Sequence, residues 1–253
     1  NHGVSDPLVI DIQPFIGIRP TVEVTFPPAG NIGNKSIFPI IAKAFDTDGA
    51  ESVPSVVSFY CNNQLLGKGE RIAQSNFFHL EFNASEYDWG DYTIRAVARD
   101  AEDNHVVSGP IDIRITAQTN APPTIHWIAP DSTESISGVS SPRTFALGSQ
   151  PTFAAEIQRE GAPVDRVSFF DNGEMVATTA AASLTSGTRG IYAANRSPSL
   201  PGSHKTWAVA ISDDTIIGTP FRTFNIVDTN GSLLPNVPVF LSLIQIFEPT
   251  RLR

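Results

Sequence analysis

The sequence predicts an all-β protein made of two similar β-sandwich modules in tandem. The main observation is an internal repeat: residues 57–66 (VSFYCNNQLL) return as 167–176 (VSFFDNGEMV), and the triplet at 96–98 returns at 208–210. The offsets, 167 − 57 = 110 and 208 − 96 = 112, are too long for a solenoid unit and match a whole β-sandwich domain. The second observation is the high number of turn-forming residues, with 18 Gly and 20 Pro among 253 residues, which is typical of short strands joined by turns.

Each module contains several short segments that favour a β-strand. In the first module the strands are expected over 36–45, 56–61, 77–82, 92–99 and 110–115, with Asn62 and Asn63 forming a hairpin turn. No segment shows a convincing helical period, since 180–184 is too short and lacks a cap. About seven short strands per hundred residues are typical of a β-sandwich.

Junctions that contain proline divide the chain, because a last strand, a polar linker and a new first strand follow one another at three places. Proline stiffens such a linker, so neighbouring modules are expected to form a semi-rigid rod. The expected segments are 1–18, the last strand of a preceding module plus a linker; 19–119, the first module; 120–228, the second module; and 229–253, a linker with a truncated or non-native tail.

Two sets of residues carry a resemblance to a known family. In the first module they are Val57, Phe59, Gly90, Tyr92, Thr93, Ala96, Ala98, Asp100, Ser108 and Pro110. In the second they are Val167, Phe169, Phe170, Asn172, Gly173, Gly202, Ala208, Ala210, Asp213 and Pro220. This pattern resembles bacterial immunoglobulin-like repeats, which occur in tandem on secreted and cell-surface proteins, beside carbohydrate-active enzymes or within adhesins. The resemblance implies tandem immunoglobulin-like (Greek-key) β-sandwiches whose usual role is that of spacers.

One position differs between the two copies. Tyr92, two residues after Gly90, stands where such sandwiches place a tyrosine corner, in which the hydroxyl binds the backbone a few residues upstream. The matching residue of the second module is His204, which we interpret as a structural replacement.

The composition limits the partners of the chain. A net charge of −9 and a pI of about 4.9 argue against a nucleic-acid partner, which calls for basic patches. A single cysteine, Cys61, rules out an internal disulfide, and its alternation with Val57 and Phe59 predicts a buried free thiol. No run of 18 apolar residues is present, so insertion into a membrane is not expected.

Acidic residues after two predicted strands form a candidate calcium site. Asp46 and Asp48 belong to an Asp-x-Asp-Gly turn, and Asp100 and Asp103 follow another strand. Ca²⁺ takes six to eight oxygen ligands and such turns often supply them, but Asp and Gly also simply make turns. The second module lacks the motif, and no other cofactor is predicted.

Surface aromatic residues form a candidate sugar-binding platform. The candidates are Trp89, Trp127 and Trp207; Trp207 replaces Arg95 at a position that alternation places on the solvent side, although packing in the core or at its rim is the alternative. No nucleophile elbow, phosphate-binding glycine loop or histidine metal spacing occurs, so the chain is predicted not to be an enzyme.

The last residues stand apart from the repeat. Residues 241–251 (LSLIQIFEPTR) resemble a translated sequencing adapter; the alternative is the first strand of a third module over 235–247. The whole sequence predicts a non-catalytic spacer, stalk or adhesive region of a bacterial extracellular protein, in contact with its own neighbouring modules and with a glycan or protein at a cell surface. A carbohydrate-binding accessory region of a polysaccharide-degrading enzyme and a structural subunit of an extracellular filament or virion are the alternatives.

Overall fold

The structure is a computed structural model that describes residues 17–47, 52–73, 75–118, 121–130, 133–134, 140–158, 164–180, 189–198, 200–212, 215–228 and 230–233. Residues 1–16 of the first expected segment and residues 234–253 of the last one lie outside the described residues, as does Asp48.

The first half of the described chain folds into one sandwich of two sheets. One sheet has the order β1-β3-β7-β6 and the other β2-β10-β8-β4-β5, with β9 beside β8. Neighbouring strands run antiparallel, except that β2 joins β10 in parallel. The strands are β1 (Thr21–Phe26), β2 (Gly30–Gly33), β3 (Ile37–Phe45), β4 (Val56–Cys61), β5 (Gln64–Lys68), β6 (Glu70–Arg71), β7 (Phe77–Asn83), β8 (Gly90–Arg99), β9 (His105–Val107) and β10 (Ile111–Thr116), with a 3₁₀ turn at Ala84–Glu86.

The second half repeats this arrangement. Its sheets have the orders β11-β15-β18 and β14-β21-β19-β16-β17, with β20 beside β19, and β14 joins β21 in parallel as β2 joins β10. A small pair, β12 and β13, stands apart. The strands are β11 (Thr124–Ala129), β12 (Thr133–Glu134), β13 (Ser140–Ser141), β14 (Arg143–Ala146), β15 (Thr152–Gln158), β16 (Arg166–Asp171), β17 (Glu174–Ala180), β18 (Arg189–Asn195), β19 (Gly202–Ser212), β20 (Thr215–Gly218) and β21 (Arg222–Val227).

The register shows that the main strands of the two sandwiches are equivalent, while β6, β12 and β13 have no counterpart among the described residues of the other copy. Phe59 pairs with Ala96 between β4 and β8, and Phe169 pairs with Ala208 between β16 and β19. With the same strand order in both copies, the prediction of tandem immunoglobulin-like Greek-key sandwiches is confirmed.

Burial along the equivalent strands β8 and β19 differs between the two copies. In β8 the buried residues alternate with partly exposed ones, as expected of a strand with one face on a core and one in water. In β19 every residue from Thr206 to Ser212 is buried. Ala208 and Ala210 belong to the core of the second sandwich, whereas Trp207 and Val209 on the opposite face belong to the core cluster of the first.

The two sandwiches therefore pack face to face. The outer face of β3 and β7 in the first lies against the outer face of β16 and β19 in the second. Backbone pairing crosses the boundary, because Ile217 of β20 pairs with Ile37 of β3, and the N–H of Ile216 donates to Ser36 Oγ at 3.0 Å. The semi-rigid joint that the linker predicts stays a prediction, and the shared core joins the two sandwiches directly.

Candidate functional site

Two described residues of the candidate calcium site lie in loops that follow strands. Asp46 directly follows β3 and is 1% exposed, and its backbone N–H donates to Ser52 O at 3.1 Å. Asp100 directly follows β8, and its carboxylate closes the loop by accepting from both the backbone N–H and the side-chain amide of Asn104, each at 2.7 Å.

Asp103, the fourth carboxylate of that set, lies on the surface. It forms an ion pair with Arg99 at 3.0 Å, and its carboxylate lies 3.4 Å from Nε2 of His105. Within the described ranges no three His, Cys, Asp or Glu side chains are arranged to hold a metal ion. Since Asp48 lies outside these ranges, calcium binding stays a prediction.

The three tryptophans occupy different environments. The indole N–H of Trp127 donates to Pro130 O at 2.8 Å, and its ring packs on Phe153 in the second core. Trp207 is 0% exposed, so it does not present the open ring that a sugar platform needs. Alternation placed it on the outer face of its sheet correctly, but the first sandwich covers that face. Trp89 is 68% exposed.

Aromatic and aliphatic side chains of both sandwiches meet at the contact between them. We call it the interface cluster; it consists of Ile41, Phe77 and His79 from the first sandwich and Phe170, Gly173, Trp207, Val209, Lys205 and Phe221 from the second. Trp207 stacks on Phe170 at 4.8 Å between centroids and meets Phe221 edge-on at 4.8 Å. Phe170 in turn meets Phe26 of the first sandwich edge-on at 5.4 Å.

Gly173 fits closely into the interface cluster. It lies in the hairpin turn between β16 and β17 with a φ of +96°, and a Cβ at this position would collide with Phe77 of the first sandwich. The equivalent residue of the first sandwich, Asn63, has a φ of 66°. Asparagine therefore tolerates this backbone, and it is contact with Phe77 that requires glycine here.

His79 is the histidine of the interface cluster. Its ring lies 4.4 Å from that of Phe221, and Nε2 lies 3.5 Å from Nζ of Lys205 and 3.7 Å from Glu70 Oε2. Burial, with a further contribution from the charge of Lys205, lowers the pKa of His79 to about 4, against a smaller opposing effect of Glu70. The imidazole is therefore neutral near pH 7.

The tyrosine corner is present in the first sandwich, where Tyr92 Oη donates to Asp88 O at 3.0 Å. In the second sandwich, His204 makes the same connection, with Nε2 3.1 Å from Leu200 O, four residues upstream. Its Nδ1 lies 2.9 Å from Oδ1 of Asp171, which is 3% exposed. Each ring nitrogen thus faces a hydrogen-bond acceptor, and Nδ1 also lies 3.5 Å from Nδ2 of Asn172. The structural interpretation of His204 accounts for this geometry, whereas its pairing with Asp171, 33 residues away, is not evident from the sequence.

Cys61 is a buried free cysteine, as predicted. Burial raises the pKa of its thiol to about 11, so it is almost entirely protonated at neutral pH and a poor nucleophile. In the described part of the chain, no helix is long and apolar enough to cross a bilayer.

No protein-family model matches the sequence, and a search of curated proteins found no match. Solved structures do show similarity. The fibronectin(III)-like modules of Clostridium thermocellum CbhA share 17% identity over 81% of this chain and 93% of theirs, with a TM-score of 0.32. The tandem Ig repeats of Dlar share 13% identity over 83% and 98%, with a TM-score of 0.38.

An endo-β-1,4-mannanase of Thermotoga petrophila shares 12% identity over 40% of this chain and 20% of its own, with a TM-score of 0.33. The assignment of the fold rests on the strand order and register of the two sandwiches.

Proposed function

We propose that this chain is a rigid, non-catalytic spacer or stalk segment of a bacterial secreted or cell-surface protein, and that its partners are neighbouring immunoglobulin-like modules. The resemblance of the repeats supports the bacterial extracellular setting. The observation that carries the mechanical part of the proposal is the shared core, in which Trp207 and Phe170 of one sandwich are buried against the other. We assign no cofactor to this function.

The interface cluster gives a physical reason for rigidity. Relative motion of two domains in one chain is the default unless the interface between them is large and hydrophobic. Here Ile41, Trp207 and Val209 are each 0% exposed. Reorientation of the sandwiches would expose this apolar surface to water, at a free-energy cost of about 25 cal/mol per Å². The spacer therefore holds one fixed angle between its two modules.

A distance measurement tests this rigidity directly. Spin labels attached at Leu65 and Met175, which are 56% and 58% exposed on different sandwiches, report the separation of the modules in a Cys61→Ala background. A single narrow distance distribution is expected. A broad distribution, as given by freely jointed modules, contradicts the proposal.

A matched pair of variants tests whether the interface cluster causes the rigidity. Gly173→Asn copies the residue that the first sandwich carries at this turn, so it keeps the backbone conformation but drives a side chain into Phe77. Asn63→Gly makes the reverse exchange at an exposed turn. We expect Gly173→Asn to broaden the spin-label distribution and to split the urea unfolding curve into two steps, while Asn63→Gly does neither. Equal behaviour of the two variants would show that the linker, and not the shared core, sets the angle.

A further inference from the structure

One polar contact between the two sandwiches depends on the charge of His79. His79 lies on β7 of the first sandwich and Lys205 on β19 of the second, with Nε2 of the ring 3.5 Å from Nζ. An ammonium group only donates, so Nε2 has to accept and therefore carries no proton. A proton on Nε2 removes this acceptor and leaves two positive charges facing each other across the boundary between the sandwiches.

The surroundings keep these two groups together. Phe221 of the second sandwich lies against both, since its ring centroid is 4.4 Å from that of His79 and 4.3 Å from Nζ of Lys205. The cation–π contact holds the ammonium group beside the imidazole. Because His79 is only 9% exposed, solvent screens a positive charge on its ring poorly.

Charged groups on the strands next to β7 offset the repulsion only in part. Glu70 of β6 has Oε2 3.7 Å from Nε2 of His79, but 80% of its side chain is exposed, so solvent screens its attraction. Lys43 of β3 lies over the ring of Phe77 at 5.5 Å and adds a further positive charge near the interface cluster. The repulsion by Lys205 outweighs the attraction by Glu70.

We propose that this contact makes the joint between the two sandwiches sensitive to acid, because a proton on Nε2 of His79 loosens the joint while each sandwich stays folded. This property rests on the proposed spacer function and adds regulation to it, since a segment that is rigid at neutral pH becomes flexible in acid. In the closed joint, burial and the charge of Lys205 lower the pKa of His79 from 6.5 to about 4, and opening returns the pKa towards 6.5. By linkage, the ratio of open to closed joints rises about a hundredfold between pH 7 and pH 4.

The sandwich fold itself requires neither residue of this pair. Equivalent registers place Ala193 at the position of His79 in the second sandwich. They place Thr93 at the position of Lys205 in the first sandwich. The pair therefore belongs to the contact between the sandwiches and not to the fold of either one.

Thiol labelling of a buried interface position measures how often the joint opens. Val209→Cys, in a Cys61→Ala background, places a thiol where the side chain is 0% exposed between the sandwiches. Val167→Cys is the matched variant, because Val167 is also 0% exposed but lies in the core of the second sandwich. A dipyridyl disulfide, which reacts in acid as well as at neutral pH, labels each thiol at pH 7 and pH 4, and each rate is divided by that of the same thiol in the unfolded chain.

The relative labelling rate of the interface thiol is expected to rise about a hundredfold from pH 7 to pH 4, while the core thiol stays better protected by about tenfold or more. His79→Gln keeps an uncharged hydrogen-bonding side chain and is expected to remove most of this rise. Lys205→Gln removes the facing charge and is expected to reduce it. The control is His105→Gln, which changes a histidine on the exposed strand β9, 3.4 Å from Asp103, and is expected to respond as the parent does.

Two results would overturn the acid response of the joint. One is the same change in labelling, or none, in the parent, His79→Gln and Lys205→Gln; if His79→Gln fails to fold, Lys205→Gln decides alone. The other is equal protection of the two thiols in acid, which indicates unfolding of the sandwiches and not opening of the joint. The spacer function is tested separately, because a broad spin-label distribution at pH 7 refutes the rigid joint itself, whereas a narrow one without labelling that depends on His79 refutes only its sensitivity to acid.

Discussion

Trp207 offers the most direct test of the shared core, because its two simplest replacements are expected to behave differently. Its ring is 0% exposed and contacts Phe170 and Phe221, yet its Nε1–H has no hydrogen-bond partner among the described residues. The residue therefore contributes apolar contact and at the same time carries a buried donor that is not satisfied.

The magnitudes follow from these two facts. Truncation of a buried tryptophan to alanine costs roughly 3 to 5 kcal/mol of unfolding free energy, since transfer and cavity terms add. Replacement by phenylalanine loses roughly 1 to 2 kcal/mol of apolar contact, estimated at about 25 cal/mol per Å². The same replacement removes the unsatisfied N–H donor, whose burial destabilises the folded parent protein by about 1 to 3 kcal/mol. We therefore expect Trp207→Ala to cost about 4 kcal/mol and Trp207→Phe to lie within about 1 kcal/mol of the parent.

Urea unfolding at 25 °C, followed by far-UV circular dichroism, measures both values. The matched control is Arg95→Ala, the same position of the first sandwich, where the side chain is only partly buried and the cost is expected to stay below about 1 kcal/mol. If Trp207→Ala costs no more than Arg95→Ala, the first sandwich does not cover this face in solution. If Trp207→Phe costs as much as Trp207→Ala, the buried N–H is bonded and the argument about the donor is refuted.

Three further predictions concern single residues. Because the pKa of His79 is lowered from 6.5 to about 4 in the folded state, the unfolded chain binds this proton at a higher pH than the folded chain does. Stability is therefore lost as the pH falls from 6.5 towards 4, by at most about 3.5 kcal/mol at about 1.4 kcal/mol per pH unit. His79→Gln is expected to flatten the difference in unfolding free energy between pH 7 and pH 4, and an unchanged difference contradicts this. Tyr92→Phe is expected to cost about 1 kcal/mol in the same assay, the net worth of its bond to Asp88 O; no cost at all would mean that this bond contributes nothing. Cys61 is expected to react with DTNB only in denaturant, because its thiol is buried and its pKa is about 11; rapid reaction of the native protein at pH 8 contradicts this.

The features that follow from nearby residues could be predicted from the sequence. The corner made by Tyr92 needs only the residues just before β8, and the long strands β4 and β7 form almost where alternation places them. The short strands β2 and β6 were not predicted. Each has four residues or fewer, so the side-chain period is hardly sampled, and each is held by pairing with β10 or β7.

The environment of Trp207 could not be predicted by alternation alone. Period-2 reasoning assigns a side chain to a face of its own sheet, but exposure depends on what packs against that face. A signal was nonetheless present, since β16 and β19 carry Phe170, Trp207, Val209 and Ile211 outside as well as an apolar set inside. A strand that is apolar on both faces is a strand buried on both faces.

The equivalent outer faces of the two sandwiches differ in size and polarity. The face of the first sandwich that carries the second includes Pro39, Ile41, Phe77 and His79. The registers of β15 and β18 place smaller or more polar residues there in the second sandwich: Thr152 for Pro39, Ala154 for Ile41, Ile191 for Phe77 and Ala193 for His79. A module docked on that face in the same way would bury less apolar surface and be held less firmly. The outward-facing residues of two neighbouring modules thus determine how the modules pack against each other. The inward-facing residues, which the repeat preserves, form the core of each sandwich.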